Sequence, residues 1–311
     1  MNFPSIIEID DIGSRAGCVA HAQRNSVDWL AEAARNGALL LRGLPLENAE
    51  DFDAFVTAIG LPPFAYEESL SNAHRIALTP RVFTANEAPG SETIHLHHEM
   101  AQTPLPPTHL FFFCATAADE GGATPVCRSD RLWESLARET PDFARDCERL
   151  GLRYTNTMPA EADTASTMGR SWRSLLGTDD RESAEARLGT LGYSWEWLED
   201  GALRMTTPRL PAVRELPDGR RSFFNQLIAA TRGWNDARNE ATRAISFGDG
   251  SPLPAEGVEA AAEFAREWTV DLAWQRGDAA ILDNHVVMHG RRPYRGTRRV
   301  LAALGMATDK T

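Results

Sequence analysis

Apolar and polar positions recur with two different periods along this chain. Over residues 26–36 the apolar Trp29, Leu30 and Ala33 fall at helical spacing, and Gly37 closes the run. Residues 38–41 follow as a short buried strand ending at Arg42-Gly43. Residues 51–59 read as a second amphipathic helix, with Phe52, Phe55 and Val56 on one face and Gly60 as its stop. From about Arg75 to Arg128 the period shortens. Ile94, Leu96 and the run Leu110, Phe111, Phe112, Phe113 lie in strand-like segments between turns rich in proline and glycine (Pro104, Pro106, Pro107, Gly121, Gly122). Ser129 and the Thr140-Pro141 pair open two helices, proline being suited to the first helical turn. Residues 152–220 are mixed in pattern and rich in arginine, with Trp195 and Trp197 close together, and read as an insertion able to cover a site. Residues 254–268 predict a helix, and residues 279–283 and 298–304 two strong closing strands. Early strands, a long excursion and closing strands predict a mainly β fold with flanking helices (α+β). The expected form is one antiparallel, double-layered sheet in a single domain over 1–311.

Composition narrows the function classes. Against 44 Asp and Glu stand 32 Lys and Arg, a formal net charge of −12 over 311 residues. Such a balance argues against nucleic acid or an anionic membrane as partner, because either requires a basic surface. Lys310 is the single lysine, which a coding-composition bias explains. The longest apolar runs, such as 110–115, fall far short of the roughly 20 residues of a membrane span. Residues 1–10 carry no basic segment followed by an apolar stretch, so no secretory signal is visible and a soluble, cytoplasmic protein is expected. Cys18, Cys114, Cys127 and Cys147 lack metal-ligand spacing and are expected to be free thiols packed as small hydrophobes.

The segment Ile94-His95-Leu96-His97-His98-Glu99-Met100 places three of the eight histidines beside a carboxylate. On an extended strand residues two apart share a face, so His97 and Glu99 can address one metal, with His95 behind them and His98 on the other face. A second histidine-bearing stretch runs from Asp283 to Arg291. If His289 joins His97 and Glu99, two imidazoles and one carboxylate leave three coordination positions open, a set suited to Fe(II) that activates oxygen. An H-x-E triplet alone is weak, since a histidine-rich surface strand is its usual explanation, and a lone His289 is more often structural.

The surroundings of these residues carry a resemblance. Trp274-Gln275-Arg276-Gly277-Asp278 through Asp283-Asn284, then His289-Gly290-Arg291, then Gly296-Thr297-Arg298 opening a strand, is similar to the C-terminal signature of the taurine dioxygenase-like (TauD/TfdA) superfamily of Fe(II)/2-oxoglutarate-dependent oxygenases. His97-His98-Glu99-Met100 looks like their metal motif, in the subgroup where methionine follows the carboxylate. Gly121-Gly122-Ala123-Thr124-Pro125 resembles their turn after the Phe-rich strand. The resemblance runs in order through most of residues 38–306. It implies a double-stranded β-helix (jelly-roll) barrel with a helical and loop insertion between the metal-ligand strands. It also implies Fe(II) as cofactor, with 2-oxoglutarate and O2 as cosubstrates.

Carried over residue by residue, the resemblance makes His97, Glu99 and His289 the metal ligands and Thr124 a hydrogen-bond partner of 2-oxoglutarate. Arg298 takes the place of the arginine that grips the far carboxylate of 2-oxoglutarate; a slip of one residue would give that role to Arg299. The assignment suits the chemistry, because a guanidinium offers a planar, permanently charged fork to a carboxylate. Because Glu99 is present, oxidation is favoured over halogenation, which in relatives goes with a small residue there. Phe111, Phe113 and Trp274 are candidates for an apolar wall around the iron. Substrate contacts are sought in the stretch Thr84 to Glu87 (Asn86), at Arg170 and Arg204, and in Phe224-Asn225-Gln226, which resembles the F-N-Q element of relatives acting on amino acids or carrier-tethered aminoacyl groups. Ala302 (or Ala303, from Arg299) stands where sulfonate-using relatives carry a further arginine, which points away from a taurine-like substrate. The expectation is a small-molecule hydroxylase of amino-acid type, its substrate free or presented on a carrier protein, in biosynthesis. Desaturation or cyclisation by the same centre, and a non-redox zinc or nickel module, are the alternatives. Monomer and homo-oligomer both stay open.

Overall fold

The computed structural model describes residues 3–307 apart from 11, 65–69, 71–74, 86–87, 164–165, 167 and 235. It is a mixed α+β structure built on two facing sheets. The larger is six-stranded, in the order Ser5–Glu8, Ala38–Arg42, Ala279–Asp283, His109–Thr116, Arg299–Gly305, Val82–Thr84. The smaller is four-stranded, in the order Thr269–Leu272, Thr124–Arg128, Val287–Arg291, Ile94–His97.

The apolar run of the central strands is divided by the period of two. Leu39, Leu41, Phe111, Phe113, Ile281 and Leu301 face outward, into a core shared with Trp29, Phe52 and Phe55 of the helices Arg15–Asn36 and Ala49–Ile59. Their neighbours Leu40, Leu110, Phe112, Leu282, Val300 and Ala302 face inward and meet Val126, Leu272 and Val287 of the smaller sheet. Both faces are buried, so the strands read as continuous apolar stretches rather than alternating ones. Each large side chain so buried contributes about 2–3 kcal/mol. Behind the smaller sheet lies a third core, where Cys127 and Met288 pack on the helices Ser129–Glu139, Pro141–Leu150 and Ala255–Glu267.

Three expectations are corrected. The first helix spans Arg15–Asn36, starting well before residue 26, because the Ser14 side chain caps it by accepting from the Gly17 N–H. The larger sheet is not wholly antiparallel. Ser5–Glu8 pairs in parallel with Ala38–Arg42, and the long helix is the crossover such a pair requires. Residues 152–220 hold secondary structure of their own: Leu152–Met158 joins Ile245–Phe247, Leu203–Thr206 and Ser194–Trp197 in a separate four-stranded sheet. Part of the insertion has its own small core, with Trp172, Leu175, Leu188 and Leu203 buried together. All four cysteines are buried and unpaired, and burial pushes the Cys18 and Cys114 thiols up to about 11. No helix among the described residues is long and apolar enough to cross a membrane.

Candidate metal centre

His289 lies on the inner face of the smaller sheet, two residues beyond Val287, and is the cross-strand partner of His97. The two imidazole centroids stand 4.4 Å apart. The glycine after His289 permits this approach, since a Cβ on Gly290 would collide with the Ile94 carbonyl oxygen. Glu99 reaches the pair by a different route from the one expected. The strand ends at His97, and Glu99 sits in the turn beyond it, followed by Met100 in the left-handed region at φ 56°. Asn284 fixes that turn by clamping the backbone of Glu99: its Oδ1 accepts from the Glu99 N–H at 2.8 Å and its Nδ2 donates to the Glu99 carbonyl at 3.0 Å. One donor atom from each of His97, Glu99 and His289 thus lies within 4.8 Å of the others.

The donor set fits a divalent metal. His97 Nδ1 is 2.7 Å from the His95 carbonyl oxygen, so it carries the proton and leaves Nε2 as the basic nitrogen. Burial, with the nearby His289, pushes His97 down to about 4, so it is neutral at neutral pH as ligation requires. Burial acts to raise the Glu99 carboxyl, but the Arg75 charge and the His289 contact outweigh it and hold the group well below the usual carboxylate range. Glu99 Oε2 is buried without a hydrogen-bond partner and lies 3.5 Å from His289 Nε2. An orphaned carboxylate oxygen beside two imidazoles is what a cation would satisfy.

His98 is excluded from the set. Its Nδ1 donates to the Asn284 carbonyl, and its Nε2 accepts from the Ser129 hydroxyl at 2.7 Å. His95 supplies its carbonyl and packs against Gly233.

Thr124 opens the strand whose Val126 is the cross-strand neighbour of His289, so it shares the inner face. Its hydroxyl accepts from Trp274 Nε1 at 2.9 Å and is 3.4 Å from Arg298 Nη2. Arg298 Nε donates to the Gly122 carbonyl at 2.8 Å. A Cβ at Gly122 would stand 3.0 Å from the Arg298 side chain, so the second glycine of the turn makes room for it. Burial and the neighbouring Arg291 push Arg298 down to about 10, which still leaves it charged at neutral pH. Arg299 is exposed at the start of the next strand.

The other sequence candidates fall elsewhere. Phe111 and Phe113 point into the helix-side core, and Phe112 is the ring beside His289, at 5.4 Å. Asn225 bonds the Ala212 carbonyl and the Leu227 N–H; with Gln226, which donates to the His98 carbonyl, it braces the end of the histidine strand. Arg170 hydrogen-bonds Ser174, and Arg204 pairs with Glu196 on an exposed face. Asn86 lies outside the described residues. Arg75, which donates to Glu99 Oε1 at 2.7 Å, was not anticipated; it belongs to no motif, and only the tertiary contact reveals it.

Comparison with known proteins places this geometry. The family model described as taurine catabolism dioxygenase TauD, TfdA family, matches residues 17–304. A clavaminate synthase-like protein of Arabidopsis thaliana is 40% identical over 283 residues, covering 91% of this chain and 84% of the relative. The dapdiamide synthesis protein DdaC of Enterobacter agglomerans is 26% identical over 283 residues, covering 86% and 82%. Among solved structures, AAD-2 in complex with Mn(II) and N-oxalylglycine superposes with a TM-score of 0.57 at 13% identity, over 99% of this chain and 96% of that one. Asparagine oxygenase in complex with Fe(II), 2S,3S-3-hydroxyasparagine and succinate gives 0.54 at 14% identity, over 96% and 85%. The last two are likenesses of fold.

Proposed function

The chain belongs to the TauD/TfdA family and is an Fe(II)- and 2-oxoglutarate-dependent dioxygenase, and from that premise we propose that it hydroxylates an unactivated C–H bond of an amino acid or amino-acid derivative, free or carrier-tethered, in biosynthesis. The observation that carries the reading is the buried convergence of His97, Glu99 and His289 on the sheet face that also bears Thr124. Ala302, fully buried where sulfonate-using relatives have an arginine, and a relative named for dapdiamide synthesis support the amino-acid side of it.

When bound, ferrous iron supplies the coupling of 2-oxoglutarate decarboxylation by dioxygen to oxidation of a substrate C–H bond. In this reading His97, Glu99 and His289 hold the iron. Arg298 presents its charged fork to the far carboxylate of 2-oxoglutarate. Thr124 accepts the Trp274 N–H, which leaves its own hydroxyl proton to donate to that carboxylate. Phe112 and the buried Met100 exclude water from the inner face. The two facing sheets are read as the walls of a jelly-roll, and residues 152–220 as a cover over its mouth.

A succinate-release screen over free amino acids and carrier-bound aminoacyl groups tests the reading. Succinate release coupled to a product heavier by one oxygen is expected for at least one of them, and Glu99→Ala should lower it by more than about a hundredfold. A product lighter by two hydrogens would replace hydroxylation with desaturation or cyclisation. Near-normal turnover by Glu99→Ala, or no response across the panel, would reject the proposal.

A further inference from the structure

The two oxygens of the Glu99 carboxylate are not equivalent. Oε1 receives a charge-assisted hydrogen bond from Arg75 Nη2 at 2.7 Å, while Oε2, the orphaned atom, faces His289 Nε2. Both side chains of the ion pair are nearly inaccessible, at 5% exposure for Arg75 and 4% for Glu99. The guanidinium is held on its other side as well, stacked 5.0 Å from the Phe83 ring centroid. Phe83 lies on the edge strand Val82–Thr84, and its pairing with Ala302 ties it to the larger sheet. Beneath the carboxylate, the Asn284 clamp fixes the backbone of Glu99. With the main chain fixed and one oxygen engaged, turning both oxygens to a metal would compete with a buried, charge-assisted contact and pull Oε1 from its hydrogen-bonding geometry.

We propose that Arg75 is a positioning residue that makes Glu99 a one-oxygen ligand. A carboxylate is free to bind a divalent metal through one oxygen or two. Through two, it would occupy a position that a keto acid, a substrate-displaced water or dioxygen requires. Arg75 disfavours that option by engaging Oε1 before any metal arrives. It also withdraws electron density from the ligand carboxylate without touching the metal. The proposal rests on the iron reading of the site, and its test separates the two.

The probe is Mn(II) added to the metal-free full chain, with bound waters counted by electron-nuclear double resonance in isotopically labelled water. The wild type should bind Mn(II) with three exchangeable waters, the octahedral positions left by three single-atom protein donors. In Arg75→Met the count should fall to two as Glu99 chelates. Mn(II) affinity should rise on the order of tenfold, because a positive charge has left the carboxylate. Arg75→Lys, which keeps a cationic donor, should stay at three. Two waters in the wild type, or three in a folded Arg75→Met with weakened Mn(II) binding, would overturn the proposal and leave Arg75 a structural ion pair. Absence of Mn(II) binding by the wild type would overturn the metal reading itself. If Arg75→Met does not fold, as judged by circular dichroism, Arg75→Gln takes its place with the same expected count of two.

Discussion

At the scale of single residues, register decides roles that neighbours of like chemistry would otherwise share. Arg298 and Arg299 are adjacent, and successive residues in extended chain project to opposite sides. The structure puts Arg298 against Gly122 and Thr124 and leaves Arg299 exposed. Arg298→Ala should therefore weaken 2-oxoglutarate binding by roughly 30- to 150-fold, the loss of a charged hydrogen-bonding pair worth about 2–3 kcal/mol. Arg299→Ala should change it by less than about threefold. Anaerobic calorimetric titration of the Mn(II)-loaded proteins measures both, and the opposite ranking would transfer the grip to Arg299. The same one-residue uncertainty displaced the apolar wall: four consecutive apolar residues, Leu110 to Phe113, give no phase, so only pairing shows that Phe112, and not its neighbours, faces His289. The three metal-binding candidates were legible because histidine is scarce here, Glu99 stands two residues from one histidine, and their flanking glycine and asparagine have structural duties. Arg75 was not, because one arginine among many carries no signal until the fold brings it to Glu99.

At the scale of elements, legibility followed burial. The helices of the outer core have a clear period and its central strands are unbroken apolar runs, so these were placed, except where a cap lengthened a helix beyond its apolar stripe, as at Ser14; the short edge strands Ser5–Glu8 and Val82–Thr84 were not. The insertion was legible only as a change of composition. Its strands are short, and in Ser194–Trp197 the half-buried tryptophans alternate with exposed Ser194 and Glu196 over four residues, too brief a run to establish a period. Arg181 stacks 4.5 Å from the Trp197 ring centroid and Trp172 meets Trp197 edge-on at 5.0 Å, so aromatic contacts internal to this unit help to hold it, with Leu70 joining its core from outside. A unit with its own small core can open without unfolding the facing sheets. If it covers the iron, amides in the strand Leu203–Thr206 and the helix Trp172–Leu176 should gain hydrogen-exchange protection when Mn(II), 2-oxoglutarate and substrate are all bound. Unchanged protection there, with gains confined to the strands bearing His97 and His289, would remove the covering role.

At the scale of the whole molecule, the buried histidines couple stability to pH. Burial pushes His97 down to about 4, His98 to about 3, His109 to about 4 and His285 to about 3. Each is neutral in the folded chain and titrates near 6.5 once unfolded. Between those values the unfolded chain binds more protons, so each histidine's contribution is fully present above about pH 6.5 and is lost as pH falls toward its folded value. Asp283 acts in the opposite direction. Burial raises it to about 6, so acidification through that range favours the folded chain, but one carboxyl opposes four imidazoles. The metal-free protein should accordingly lose thermal stability on going from pH 7 to pH 5. His109, buried beside Thr108 and outside the ligand set, probes the effect without touching the metal site. Its share of the loss is about 2 kcal/mol, equivalent to a few degrees in Tm. His109→Gln should flatten the dependence of Tm on pH by that amount whatever it does to Tm at pH 7. Parallel curves for variant and wild type would mean that His109 is not held neutral by the fold.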